Sequence, residues 1–269
     1  MIDLHSHILT GLDDGAETLA ISLEMARMAV ADGITHMACT PHILPGRYPN
    51  SCATIHPAIA SLKAALKQNQ VPLTLVAGAD VHVAWDLDVR LISGEIPTLN
   101  GSRYFLLEPP HQFSPPWLET LTKRLFEAGF VPIITHPERL GWVTRHFDVI
   151  KRLHAMGCPL QLTADSLLGR FGARAKAAAM QILNEDMRCF VASDAHGATW
   201  RTPEMSRAMQ VVTVCLGEEA ADSMFVTIPQ TILRNEKLPS RRGKRRPRPA
   251  RGTKQGGFGK FVGLFRGEQ

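Results

Sequence analysis

The chain has 269 residues, 45% of them hydrophobic, and a formal net charge of +5, which describes an ordinary globular chain of one large or two small domains. No apolar run is long enough for a transmembrane helix, and no basic segment followed by an apolar one marks a secretory leader. The charge is uneven: residues 240–269 hold ten basic side chains against the single acid Glu268, so this tail carries +9 and the rest −4.

In chain order, residues 1–4 read as a first strand, followed at once by His5 and His7 in "HSH". A helix is expected over 18–32, with Leu19, Leu23, Ala26 and Val30 as its apolar stripe. Asp13 is expected to cap this helix, and Asp14 to remain available as a ligand. A strand over 35–39 runs into "TPH" and His42, and a helix over 54–68 follows. The strand over 73–77 leads to Asp80, and that over 104–107 to Glu108. After a helix over 116–128, the strand over 132–134 leads to His136. Next come a helix over 146–156, a strand over 159–162, a helix over 173–186 and a strand over 189–192 that leads to Asp194 and His196. A last helix is expected over 203–216. Gly33, Gly129 and Gly157 stand where helices end.

Such alternation argues for parallel strands joined by crossover helices, and seven strands favour a barrel over an open sheet. Six of the seven strand ends then carry His, Asp or Glu on one rim, the rim that bears active sites in barrels. With Asp14, nine metal-ligand-type side chains converge: His5, His7, Asp14, His42, Asp80, Glu108, His136, Asp194 and His196. A structural zinc needs four ligands and a catalytic zinc three plus water, so nine imply two or three ions. The donors are nitrogen and oxygen only, which suits manganese, zinc or iron. His36, His56, His82, His111, His146 and His154 lack this placement and are expected to be structural.

The five cysteines, Cys39, Cys52, Cys158, Cys189 and Cys215, form no CxxC pair. An odd count without an export signal implies reduced thiols and a cytoplasmic setting. None has an arginine six positions later, where Pro45, Ala58, Ala164, Ala195 and Ala221 stand. A cysteinyl-phosphate route therefore has no candidate.

The stretches "MIDLHSHILTGLDDGA", "ITHMACTPH", "GEIPTLNGSRYFLLEPP", "PIITHPER" and "SDAHG" resemble the polymerase-and-histidinol-phosphatase (PHP) superfamily. More narrowly, they resemble the bacterial manganese-dependent protein-tyrosine phosphatases of capsule and exopolysaccharide operons, over about residues 1–225. The resemblance implies an α/β fold, a distorted (β/α)7 TIM-like barrel over 1–238, with a trinuclear metal site at the C-terminal ends of its strands. It implies His5, His7, Asp80 and Asp194 on one ion, Asp80, Glu108 and His136 on a second, and Asp14, His42 and His196 on a third. The ions would be divalent, with manganese favoured. Arg139 and Arg201 would bind substrate phosphate, and His42 and His196 are the candidate acid–base groups. At position 80 the family usually has Glu; Asp is one methylene shorter, which leaves open whether Asp80 bridges two ions.

The implied reaction is attack of metal-activated hydroxide on the phosphorus of a phosphotyrosine protein. The implied partner is a membrane-associated bacterial tyrosine kinase. The alternative within enzymes is a small-molecule phosphatase of the histidinol-phosphate type. An amidohydrolase is disfavoured because Asp80 and Glu108 stand where that class wants a lysine. Residues 239–269 cannot bury a core and read as disordered. Their other readings are contact with an anionic membrane and, less favoured beside an acidic body, nucleic-acid binding or a PHP-type nuclease.

Overall fold

The computed structural model describes residues 1–238; the basic tail, and every expectation placed on it, lies outside the described residues. The strands are short and strictly two-faced. On β6 (Tyr104–Glu108), Phe105 and Leu107 pack into one apolar cluster while Tyr104 and Leu106 pack into another. Successive side chains of a strand point to opposite faces, so Glu108 falls on the side of Tyr104 and Leu106. The same alternation sorts β9 (Cys189–Ala192): Cys189 and Val191 join the larger cluster, Phe190 and Ala192 the smaller.

Every strand pair among the described residues is parallel. One sheet has the order β1 (Ile2–Asp3), β2 (His36–Cys39), β4 (Thr74–Ala77). The other has the order β3 (His42–Ile43), β5 (Asp80–His82), β6, β7 (Val131–Thr135), β8 (Leu160–Thr163), β9. Each of the seven expected strands is present, but two are interrupted. Between β2 and β3 stands Pro41, which has no N–H to give to a ladder. Between β4 and β5 stands Gly78, where a Cβ would lie 2.8 Å from Leu99 Cδ2 and 3.0 Å from Thr40 Cγ2. Hydrogen bonds carry the pairing across both breaks: Thr40 N–H to Ser6 O at 2.9 Å and Asp80 N–H to Pro41 O at 3.2 Å. The first and last strands are also joined, by Asp194 N–H to His5 O and His7 N–H to Ala195 O, each 2.8 Å.

The six expected helices form, with ends shifted by a few residues: α1 (Leu19–Ala31), α2 (Cys52–Gln68), α4 (Leu118–Glu127), α5 (Phe147–Met156), α7 (Gly172–Asn184) and α8 (Ser206–Leu216). Their buried sides supply most of the larger cluster. The sequence reading did not resolve α3 (Leu87–Ile92), α6 (Ala164–Leu168), α9 (Glu218–Asp222) or α10 (Ile228–Leu233). Ile228 and Ile232 of α10 join Ile2, Leu4 and Phe190 in the smaller cluster. Thr18, not Asp13, caps α1, its side chain accepting from Ile21 N–H. That corrects the expectation for Asp13 and frees its carboxylate for another use. No helix among the described residues is long and apolar enough to cross a membrane.

Candidate metal centre

The nine donors expected from the sequence meet beyond the C-terminal ends of the strands. The Nε2 atoms of His5 and His7 face each other at 3.1 Å, and Asp194 Oδ1 lies 3.3 Å from each. Asp80 Oδ2 is 3.5 Å from His5 Nε2 and 3.3 Å from His42 Nδ1. Glu108 Oε2 lies 3.4 Å from that same His42 nitrogen, and Glu108 Oε1 lies 3.6 Å from His136 Nε2. Asp14 Oδ1 is 3.6 Å from Nε2 of both His42 and His196. Separations of roughly 3 to 3.6 Å are what donors held about 2.0–2.2 Å from a shared ion adopt around it.

Unsatisfied atoms make the same point. Asp80 Oδ1 and Oδ2, Glu108 Oε2, His42 Nδ1 and His136 Nδ1 are buried and have no hydrogen-bond partner among the described residues. Buried polar atoms are ordinarily paired, and several orphaned acceptors aimed into one cluster fit a set of cation ligands.

The histidines are oriented from behind. Asp13 Oδ2 accepts from His7 Nδ1–H at 2.6 Å and from His42 N–H at 2.9 Å. Gln161 Oε1 accepts from His5 Nδ1–H at 2.9 Å and from His136 N–H at 3.2 Å. His196 Nδ1–H donates to Asp194 O at 3.0 Å. In the His5, His7 and His196 rings Nδ1 faces an acceptor, which sets the tautomer of the neutral ring and turns Nε2 toward the cluster. The backbone is bent to the same end: His136, Asp194 and Arg201 have φ of 31°, 53° and 47°, a left-handed conformation that non-glycine residues adopt at a cost.

The carboxylates impose positive charge on the cluster. Burial opposes protonation of His5, but Asp194 and Asp80 override it and raise the group to about 9. Burial likewise opposes charge on His42, and the adjacent carboxylates of Asp80 and Glu108 raise it to about 11. Burial also penalises ionised Asp194 and Glu108, yet His5, Arg201 and Arg139 beside Asp194, and the surrounding imidazoles of His111, His42 and His82 at Glu108, hold both well below the carboxylate range. His136 and His196 go the other way, held low first by burial, with the positive charge of Arg139 adding to the effect at His136.

Arg139 and Arg201 both donate to Asp194 Oδ2, and their guanidinium carbons lie 4.2 and 5.7 Å from the centre of the Phe171 ring. With His42, His136 and His196 they line a cavity of about 210 Å³ that opens over the cluster. No cysteine lines it. Cys39 is buried and its thiol is pushed up to about 12.

Four residues at the site carried no such expectation from the sequence. Asp13 and Gln161 orient histidines, as described. His82 and His111, expected to be structural, both touch Glu108: His82 Nε2 contacts Oε2, and His111 Nε2 lies 3.2 Å from Oε1. A signal for His82 was present, because Asp80-Val81-His82 repeats the spacing of His5-Ser6-His7 and Asp194-Ala195-His196. Gln161 is a polar residue in the apolar run of β8, the one strand end lacking a ligand. His36, His56, His146 and His154 belong to none of the donor groups.

Fold and site together define a parallel α/β protein with a candidate metal centre at its strand ends. The chain belongs to the CpsB/CapC family of capsular polysaccharide synthesis, whose family model matches residues 1–234. It is 33% identical over 258 residues to the tyrosine-protein phosphatase YwqE of Bacillus subtilis, covering 96% of this chain and 100% of the relative. It is 28% identical over 240 residues to the tyrosine-protein phosphatase CpsB of Streptococcus agalactiae, covering 87% of this chain and 99% of that one. Among solved structures, it is similar to a chain from the crystal structures of YwqE from Bacillus subtilis and CpsB from Streptococcus pneumoniae, described as unique metal-dependent tyrosine phosphatases. That match has a TM-score of 0.86 and 33% identity, covering 89% of this chain and 96% of the other. The phosphotriesterase from Mycobacterium tuberculosis shares the fold at 11% identity, with a TM-score of 0.55 and coverage of 87% and 94%.

Proposed function

We propose that the chain is a metal-dependent protein-tyrosine phosphatase acting on an autophosphorylated bacterial tyrosine kinase in the control of capsule or exopolysaccharide synthesis. The observation that carries this reading is the convergence of Arg139 and Arg201 on a buried nitrogen–oxygen donor cluster, in a chain that aligns along nearly its whole length with YwqE. The seven strand positions and the bonds joining β1 to β9 support a distorted (β/α)7 barrel formed by residues 1–238. The cytoplasm, with contact at the inner membrane, is the setting this function requires.

Two to three divalent ions, manganese before zinc or iron, would be held by His5, His7, Asp14, His42, Asp80, Glu108, His136, Asp194 and His196. Such ions neutralise phosphoryl charge and lower the pKa of water to about 7. The protein supplies the rest. Arg139 and Arg201 offer guanidinium N–H groups to the equatorial phosphoryl oxygens, a fork that matches phosphate geometry. Asp194 holds both arginines at the cavity wall. His42 and His196 are the groups placed to move a proton. The demand on them is modest, since a phenol leaving group has a pKa of about 10.

Hydrolysis of a phosphotyrosine peptide, a phosphoserine peptide and histidinol phosphate with manganese tests this reading. The phosphotyrosine peptide should be preferred, and a chelator should abolish its turnover. Preference for histidinol phosphate would establish the small-molecule alternative.

Asp13 provides a second test. Asp13→Ala removes the acceptor that fixes the His7 tautomer, and such changes typically weaken metal binding by about 10–100-fold. The variant should need correspondingly more manganese for half-maximal activity and regain turnover as the metal is raised. A manganese titration that superimposes on the wild type would remove Asp13 from this role.

A further inference from the structure

Glu108 is the donor with the most histidine around it. Its Oε2 faces His42 and His82, and its Oε1 faces His136 and His111. Glu108, His111 and His136 form a group whose donor atoms all lie within 4.8 Å of one another. The His111 and His136 rings are 5.2 Å apart, centre to centre.

His111 is held in place by its backbone rather than by chance. It follows Pro109 and Pro110, which restrict the chain on leaving β6. Trp142 Nε1–H donates to Pro110 O at 2.9 Å, and Gly141 N–H donates to His111 O at 2.8 Å. Gly141 allows that approach, because a Cβ there would lie 2.8 Å from His111 O. Two successive carbonyls are thus pinned, and the imidazole between them and Glu108 borders the cavity.

The geometry points to His111 as a metal ligand, completing with Glu108 and His136 a three-donor site for one of the divalent ions. This rests on the metal-dependent reading of the site above. It also bears on Asp80. Asp80 Oδ2 already faces His5 and His42, and with His111 in place the ion at Glu108 and His136 has three protein donors without it. Three protein donors plus water is the pattern of an open catalytic site. The simpler role, a charge pair between protonated His111 and Glu108 three residues before it, makes a different prediction.

The test compares wild type, His111→Ala and His111→Lys after stripping with chelator and reloading with manganese. Bound metal is counted by mass spectrometry after gel filtration, and affinity is measured by calorimetric titration. Lysine keeps a cation beside Glu108 but offers no lone pair at neutral pH. Both variants should lose one ion per chain, or bind it more weakly by roughly 10–100-fold, the range that lost metal-site support produces. Their metal-free forms should melt near the metal-free wild type. Retention of the full ion count and affinity by His111→Lys would overturn the assignment in favour of the charge pair. If wild type itself retains no ion, the metal reading of the whole site falls, and this assignment with it. If wild type retains ions and His111→Ala matches it, the assignment alone falls.

Discussion

Replacing His5 and His7 together with alanine is expected to lower kcat/KM on a phosphotyrosine peptide by roughly 10³-fold or more. Lewis-acid and water-activating effects of a bound ion are worth several kcal/mol, and each tenfold in rate corresponds to about 1.36 kcal/mol. The two Nε2 atoms and Asp194 Oδ1 form a triangle with sides of 3.1 to 3.3 Å, so the double variant removes two of three corners. Both rings are buried, and a control for folding is required. Chelated wild type provides it: chelation and mutation should converge on the same residual rate, while circular dichroism stays unchanged. Variant activity within about tenfold of the metal-loaded wild type would exclude a centre built on this pair. Residual activity that chelator abolishes in the variant would place the working ion on the remaining donors.

Much of the candidate site was legible because its donor side chains follow strand ends, and strand ends are marked by where apolar runs stop. His5, His42, Asp80, Glu108, His136 and Asp194 each close such a run. What failed to register were residues whose roles depend on neighbours distant in sequence. Asp14 was expected beside His42 and His196 from the resemblance, but the adjacent and chemically identical Asp13 was expected as a helix cap, since no local pattern assigns it to His7. The structure does so because the chain turns tightly there: a Cβ on Gly15 would lie 2.1 Å from His7 O. Gln161 acts on His5 across 156 residues of sequence. β3 and β5 were unseen as strands because two- or three-residue pairings have no periodicity to detect, and β3 follows directly on a proline. The helices after Leu216 lacked a clean apolar stripe, yet Ile228 and Ile232 reach the smaller cluster between the strands. In that case tertiary burial rather than local pattern decides the conformation.

Arg139→Ala and Arg201→Ala are each expected to lower kcat/KM by roughly 10²-fold, with metal content unchanged. Removal of one positioned donor to developing charge typically costs about 10²–10³-fold. Both side chains reach Asp194 Oδ2 through one terminal nitrogen, which leaves other N–H groups of each fork for phosphate. Arg201 Nε is buried and has no partner among the described residues, a donor in waiting at the cavity wall. The guanidinium orientations are set locally. Arg139 lies against the Phe171 ring, Arg201 against Trp200 at 5.3 Å, and His196 N–H closes the turn onto Arg201 O at 2.9 Å. Lysine cannot reproduce a planar fork stacked on an aromatic ring, so Arg139→Lys and Arg201→Lys should recover little activity. Because the two arginines share one carboxylate and one ligand, the double variant should cost less than the product of the singles. Bound manganese, measured on the same samples, separates the two ways this can fail. Loss of the ion together with activity would make the arginines supports for Asp194 rather than phosphate binders. Full activity in either single variant would remove that side chain from the phosphate site.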